Sequence, residues 1–495
     1  MSSKSLSTIL SLPSGRKVNV PTGLYINGRF VSSADGHEKD LEVINPFNEA
    51  SVKDIDLAVA AARSAFQTTW GKNTPGTERA KLLNRLADLI ERDQQELAEL
   101  ESFNSGKPVK FARDADIADT IACLRYYAGF ADKVHGKTIE VNDKTKFVFT
   151  KHEPVGVCGQ IIPWNYPINM WSWKTAPALA LGCTIVMKPS ENTPLTALKL
   201  CELVKEAGYP DGVLNCVPSL GSVGGAALAS HPGVDKVAFT GSTVTGRKIL
   251  EASAHSNLKK VSLELGGKSP HLIFESADID QAAHWAIFGI TWNSGQDCTA
   301  GSRVYVQSSI YDKFVQLLVK KANEFVVGDP FDEATAGGPV ISKVQYDRVW
   351  SYIESGKTEG ATVVVGGEKR KTKGFFVDPC VFTDIKPEMK IIFGPVLVVG
   401  RFDTEEEAIT LANDTTYGLA AGLHSNDASQ CLRVSSELQA GTIWINTYNV
   451  LHNNVPFGGF KQSGIGRELG EYALSEYTSV KAVHWNFGEK LDWPM

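Results

Sequence analysis

No apolar run in the 495 residues reaches the roughly 18 needed to cross a bilayer, so no membrane-spanning helix is expected. Positive charge is not in excess either. Lys and Arg number 50 against 56 Asp and Glu, and the net charge of -6 leaves no electrostatic footprint for DNA or RNA. The basic spots Lys259-Lys260 and Lys369-Arg-Lys-Thr-Lys373 read as solvated turns. Cysteine is scattered: Cys123, Cys158, Cys183, Cys201, Cys216, Cys298, Cys380 and Cys431 form no C-x-x-C pair and show no metal-ligand spacing. Neither a structural metal nor a disulfide framework is expected, and a reducing, cytoplasmic compartment fits best. Internal repeats and low-complexity segments are missing. Residues 1–20 carry Lys4, Arg16 and Lys17 without an acidic group, but serine, proline and glycine interrupt them. They read as a disordered extension rather than a targeting sequence.

What is present is a globular composition, 43% hydrophobic and 21% charged, long enough for about three domain-sized units. Tyr25-Ile-Asn-Gly-Arg-Phe30 predicts a hairpin around an Asn-Gly turn. Apolar spacing predicts helices over 54–69, 77–101 and 117–132. From 138 to 155 the pattern turns to alternation, which predicts extended strands with an edge open to pairing. After Gly156, short apolar strands (156–162, 184–187, 213–217) alternate with helices (176–181, 194–207, 224–229). That is the signature of a doubly wound, mostly parallel α/β sheet. The alternation resumes after Ser269 through Val304-Tyr-Val306, a helix over 311–325, Val363-Val-Val365 and a strand over 396–402. A break at Gly266-Gly267 would separate two α/β units and leave Glu264 beside the cleft between them.

Three pieces in the middle of the chain carry chemistry. Phe239-Thr-Gly-Ser-Thr-Val-Thr-Gly246 follows an apolar run and suits a strand that turns into a helix, with Gly241, Ser242 and Gly246 at the turn and free amides facing a dinucleotide. Glu264 stands in Leu263-Glu-Leu-Gly-Gly-Lys268, a carboxylate at an apolar strand end where partial burial would raise its pKa into the range of a general base. Cys298 lies in Gly295-Gln-Asp-Cys-Thr-Ala-Gly301, between glycines and small polar residues that let a substrate approach a thiol. A hydrolase could use the same thiol and carboxylate to cleave esters.

Together with Pro163-Trp-Asn165, Lys188-Pro-Ser-Glu191, Phe393-Gly-Pro395 and Pro456-Phe-Gly-Gly459, these pieces resemble the NAD(P)-dependent aldehyde dehydrogenase superfamily, in its fungal and animal cytosolic and mitochondrial branch. The resemblance spans roughly residues 20–485 and the motifs keep family order. It implies a Rossmann-like NAD-binding domain from 21–137 and 154–266, an α/β catalytic domain from 267–470, and a small β oligomerisation element from 138–153 and 477–495 that builds dimers or tetramers. It also implies that an aldehyde becomes a carboxylic acid through a thiohemiacetal and a thioester on Cys298.

In this pattern Asn165 and the Cys298 backbone N–H serve the developing oxyanion, Glu264 activates water, and Lys174 with Glu468 forms a proton relay or a structural ion pair. Lys188 and Glu191 would hold the adenine-side ribose of the cofactor. Glu191 accepts two hydroxyl donors but repels a 2'-phosphate, which favours NAD over NADP. Ile161, Trp164 and Phe393 are further cofactor contacts. Tyr166, Met170, Trp173, Trp292, Leu451 and Phe457 would line an apolar tunnel for aliphatic or aromatic aldehydes, and Asp297, next to the nucleophile, would admit amines. Glu264 argues against release of the acyl group to coenzyme A or phosphate, because a water-activating carboxylate hydrolyses the thioester first.

One departure stands out. Met389-Lys-Ile-Ile-Phe-Gly-Pro395 is four residues shorter than the family pattern between Ile391 and Ile392 and lacks the second glutamate that holds the nicotinamide-side ribose. Slowed hydride transfer is the expectation there, and with it the alternative of a catalytically impaired member kept as a binding or structural protein.

Overall fold

The computed structural model describes residues 6–35, 49–385 and 394–492. Its largest sheet has eight strands, centred on Val157–Ile161, with Thr184–Lys188 and Leu214–Cys216 on one side and Lys236–Thr240 and Lys260–Glu264 on the other, all parallel. These strands are buried on both faces because side chains alternate between two cores. Cys158, Ile185, Met187, Leu214 and Cys216 point into one, with Leu83, Leu86, Ile90, Leu124, Trp171 and Leu198 of the covering helices. Val157, Ile161, Val186, Val237, Phe239 and Leu263 point into the other, with Ile55, Ala58, Val59, Ala62 and Ile249. The predicted hairpin closes one edge, Leu24–Ile26 against Arg29–Val31, with Asn27 and Gly28 both at positive φ.

A second, seven-stranded sheet has Pro270–Ile273 near its middle, flanked by Arg303–Gln307, Val396–Phe402 and Cys380–Thr383 on one side and by Ala420–His424 and Thr442–Ile445 on the other. Only its edge strand Thr362–Val365 is antiparallel. A third sheet pairs Lys146–Pro154 with Thr478–Asn486 over nine residues and with Thr138–Ile139, the pairing expected from the alternating segment.

Four expectations need correction. The N-terminal stretch is not a loose extension: Ser7–Ser11 and Lys17–Pro21 form a hairpin whose Leu12, Val18 and Val20 pack on Leu100 and Leu195. Its proline and glycine, which hid the apolar set, supply the turn, with Gly15 at φ 85°. The helix expected over 77–101 is two, Gly76–Arg92 and Gln94–Ser105, because Asp93 leaves helical geometry at φ -99° and ψ 16°. The helix expected at 176–181 begins at Pro167 and runs to Ala180 with every residue buried, so no polar face betrayed its length. Finally, Gly464–Ile465, inside the segment assigned to the second unit, adds an antiparallel strand to the first sheet beside Leu263 and Glu264. Two residues are too few to leave a pattern.

Candidate functional site

The chain order within the first sheet creates the site. The connections after Val157–Ile161 and Thr184–Lys188 run one way across the sheet, and the chain then crosses back to place Lys236–Thr240 on the other side of Val157–Ile161. The loops leaving the carboxyl ends of these two neighbouring strands diverge, which opens a crevice at the switch point. Ile161, Trp164 and Asn165 stand on one rim, and Gly241 and Ser242 on the other. Glu264 ends the next strand, in register with Thr240.

The loop that carries Cys298 reaches this crevice from the side of the second sheet. The helix Ile279–Thr291 is followed by three successive residues in left-handed conformation, Asn293 (φ 50°), Ser294 (φ 56°) and Gly295 (φ 70°). Such backbone persists only where the surroundings hold it. Here Asn293 Nδ2 donates to the carbonyls of Asn165 (2.8 Å) and Gln296 (3.2 Å), and Ser294 Oγ donates to Gly338 O (2.8 Å). Gly295 has no alternative, since a Cβ would lie 2.3 Å from the Gly394 carbonyl carbon. Gly267 is equally constrained: a Cβ there would meet Cys298 O at 2.6 Å, so the link between the two sheets lies directly against the Cys298 loop.

A cavity of about 250 Å³ gathers Asn165, Glu264 and Cys298 with all seven substrate candidates, Tyr166, Met170, Trp173, Trp292, Asp297, Leu451 and Phe457. Its walls are aromatic. Trp173 meets Phe457 edge-on at 5.4 Å, and Trp292 stacks between Phe111 and Phe288 at 4.9 and 5.1 Å. Asn165 Nδ2 donates one hydrogen bond to Gln296 O (3.0 Å), which aims the amide along the cavity wall beside the thiol loop.

Glu264 is 3% exposed and its Oε1 has no protein partner. Burial, reinforced by the nearby Glu468 carboxylate, pushes its pKa up to about 8, against contact with the Cys298 thiol and the charge of Lys174. Burial also pushes the Cys298 thiol well above its ordinary value, with Glu264 and Asp297 adding to the rise. The pair therefore rests at neutral pH as thiol and carboxylic acid and gains its reactive forms as pH rises. Behind it, fully buried Lys174 donates to Thr240 Oγ1 (2.6 Å) and to Glu468 Oε1 (2.5 Å), while Glu468 Oε2 is left without a protein partner. The lysine thus links a residue of the cavity wall to a second carboxylate farther in.

On the cofactor side, Lys188 ends its strand almost wholly buried and donates to Glu191 Oε2 (3.1 Å) and to Pro189 O (2.9 Å). Burial lowers its pKa. Ser242 caps the helix Thr243–His255 through Thr245 N, and Thr243 Oγ1 is buried without a protein partner at the same helix start. An unsatisfied hydroxyl at a helix N-terminus, with a lysine and a carboxylate at the end of the strand one beyond Val157–Ile161, is a donor and acceptor set that fits a dinucleotide. Gly246 has a plainer use, since a Cβ would press on Leu265 at 2.7 Å and part helix from sheet. Phe393 and the shortened loop at Ile391-Ile392 lie outside the described residues.

Sequence reasoning missed several wall residues: Ala115, Asp116, Asp119, Asn169, Thr240, Phe288, Thr299 and Asn449. Two had a signal. Asn169 shares a helical face with Tyr166, Met170 and Trp173, and Phe288 lies four residues before Trp292. The acidic pair Asp116 and Asp119 gave none. Asp116 is buried against Lys107, whose ammonium also sits 4.1 Å from the Tyr166 ring centroid. Asp119 Oδ2 takes hydrogen bonds from Asn169 (2.9 Å) and the Trp173 indole (2.8 Å).

Comparison with known proteins agrees with this geometry. The sequence profile of the aldehyde dehydrogenase family matches residues 33–483. An aldehyde dehydrogenase from Aspergillus niger is 53% identical over 494 residues, covering 97% of this chain and 98% of that protein. Retinal dehydrogenase 2 from Gallus gallus is 51% identical, with 93% and 91% covered. The NAD+ complex of an aldehyde dehydrogenase from Bacillus cereus superposes with a TM-score of 0.92 at 51% identity, covering 94% of this chain and 97% of that one.

Proposed function

This chain belongs to the aldehyde dehydrogenase family and oxidises an aldehyde to a carboxylic acid with NAD; on that premise we propose that its substrates are uncharged aliphatic and aromatic aldehydes, with some tolerance for amines, turned over by Cys298 and Glu264. The observation that carries the proposal is the single cavity in which thiol, buried carboxylate and side-chain amide face one aromatic-walled space.

The Cys298 thiolate adds to the carbonyl carbon, and the amide of Asn165 with the Cys298 backbone N–H receives the charge on oxygen. Bound NAD supplies the hydride acceptor. Loss of hydride from the tetrahedral carbon leaves a thioester on Cys298. Glu264, as carboxylate, takes a proton from water, the hydroxide oxygen bonds to the acyl carbon, and the C–S bond breaks to release acid and thiolate. The Lys174–Glu468 pair takes the proton on from Glu264, Lys174 yielding one of its own protons to Glu468 as it accepts. Lys188 and Glu191 bind the adenine-side ribose, with Ile161, Trp164, Gly241 and Ser242 around it.

Four carboxyl groups line the cavity, Asp116, Asp119, Asp297 and Glu264; Glu264 holds its proton at neutral pH and Asp116 is paired with buried Lys107, so Asp119 and Asp297 are left to face a charged substrate. A carboxylate-bearing aldehyde would meet like charge there, so we expect its kcat/KM to fall about tenfold or more below that of a neutral aldehyde of equal length, with an aminoaldehyde in between because attraction to Asp297 offsets only part of the cost of stripping water from its ammonium. Steady-state assays with the three classes test this, and an anionic semialdehyde turned over as well as a neutral one would sink it. In the same assay, Glu191→Gln should narrow the preference for NAD over NADP by about tenfold, because the amide no longer repels a 2'-phosphate. An unchanged ratio would remove Glu191 from cofactor choice.

The chain assembles as a homodimer or homotetramer through the sheet of Lys146–Pro154 and Thr478–Asn486. Support comes from the open edge of the second strand and from exposed Val480, Trp485 and Phe487. A solution mass equal to the single-chain 53.7 kDa would contradict it. A cytoplasmic location belongs to the same reading, supported by eight cysteines that are all unpaired. Accumulation of a tagged chain inside an organelle would contradict that.

A further inference from the structure

The nucleophile loop is braced from behind by two consecutive residues that the chemistry above does not use. Tyr448 is fully buried, and its hydroxyl donates to the carbonyl of Thr299 (2.8 Å). Its ring fills a slot cut by three glycines, for a Cβ on Gly289, Gly301 or Gly422 would lie 2.7, 2.9 or 2.6 Å from a ring atom. The face of the ring stacks on the buried His271 at 4.6 Å, which in turn stacks on His424 at 4.8 Å. Tyr448 is therefore a fixed post.

Asn449 follows it at φ 58°, a left-handed conformation that asparagine tolerates better than most residues. That turn sends its side chain to the two neighbours of the nucleophile at once. Asn449 Nδ2 donates to Asp297 Oδ2 (2.6 Å), and the Thr299 hydroxyl, with its one proton, lies 2.7 Å from Asn449 Oδ1 and 3.0 Å from Asp297 Oδ1. The Thr299 amide also donates to Asp297 Oδ1 (3.2 Å). Both oxygens of Asp297 are thus engaged by Thr299 and Asn449, and residues 297 and 299 are clamped on either side of residue 298.

We propose that Asn449 is a positioning residue for the reaction: its amide, backed by Tyr448, holds the Asp297 carboxylate and the Thr299 hydroxyl so that Cys298 faces Asn165 and Glu264. The amide matters because it donates to a carboxylate on one side and accepts from a hydroxyl on the other, whereas a carboxylate of the same shape can only accept. An aspartate at 449 would set two carboxylates face to face beside the thiol. This rests on Cys298 being the nucleophile, and the test separates the two claims by following the thiol without aldehyde or NAD.

The experiment measures the rate of Cys298 alkylation by iodoacetamide against pH, with mass spectrometry to locate the adduct, alongside kcat, KM and Tm. Glu264, Asp297, Tyr166 and Tyr448 are the titratable groups that act on the thiol, and all four stay in place in Asn449→Asp. That variant should move the alkylation midpoint up by about one pH unit and lower kcat about tenfold, with the aldehyde KM changed less than about threefold. The exchange Asp297→Asn with Asn449→Asp rebuilds every hydrogen bond with the acid and amide interchanged, and it should bring the midpoint most of the way back. A profile for Asn449→Asp that superimposes on the wild type would overturn the proposal. So would an exchange variant with wild-type Tm and no recovery. If Asn449→Asp does not fold, Tyr448→Phe, which removes one oxygen, should slow alkylation several-fold, and an unchanged rate would overturn the proposal equally.

Discussion

Replacing Cys298 by alanine should lower NAD-dependent aldehyde oxidation by about 10⁴-fold or more while the protein stays folded. The size of the effect follows from the chemistry. A planar aldehyde is a poor hydride donor, and without covalent addition to sulfur the site forms no thiohemiacetal from which hydride can leave. Seven other cysteines cannot substitute, because each is buried away from the cavity. The stability cost should be small. Cys298 is only half-buried and sits on the edge of the core cluster, so alanine removes one sulfur atom rather than opening a large void. Absorbance of reduced nicotinamide together with a thermal melt checks both halves. Residual turnover within about tenfold of wild type would assign the nucleophile elsewhere.

Glu264→Gln should produce the second large loss, about 10²- to 10⁴-fold in kcat, the usual contribution of a general base. The shape of the pH profile is more telling than the size. Glu264 is active as carboxylate, and its pKa is raised to about 8. Wild-type kcat should therefore rise with pH through about 8 and level off above it, and that rise should vanish in the glutamine variant. Stability runs the other way. A carboxyl whose folded pKa lies above its unfolded value holds its proton in the native state, so stability is full below about pH 4.5 and falls as pH climbs toward 8. The uncharged glutamine escapes that penalty, and the variant's Tm should equal or exceed the wild type's in alkaline buffer. A variant that is less active and less stable at every pH would point to a structural role for the carboxylate instead.

Much of the site was legible because its residues are set in unusual local sequence. Cys298 between glycines and Glu264 ahead of Gly266-Gly267 stand out from their surroundings, since close backbone approach demands glycine there. The large apolar set Tyr166, Met170 and Trp173 was legible as a group, although the helix that carries it was placed nine residues too late. Its burial on all sides erases the periodicity that marks a helix. Asp116, Asp119, Thr240 and Asn449 were not legible, because each is an ordinary residue type whose importance comes from a neighbour on another element, whether Lys107, Asn169, Glu264 or Asp297. The register of Thr240 with Glu264 is a property of the sheet. The contact of Asn449 with Asp297 joins residues 152 apart through a left-handed turn that no local pattern announces. The N-terminal hairpin was missed for the opposite reason: its turn residues resembled disorder, and its apolar partners, Leu100 and Leu195, lie far along the chain.

The most direct test of the whole account is the mass of the Glu264→Gln protein after mixing with an excess of a neutral aldehyde and NAD. The account predicts about one equivalent of reduced nicotinamide per active site in a single burst, and an acyl group on Cys298 that persists because nothing activates water against it. A protein that releases acid continuously at the wild-type rate, or one that forms reduced nicotinamide with no acyl mass on Cys298, would contradict the pairing of these two residues as nucleophile and base.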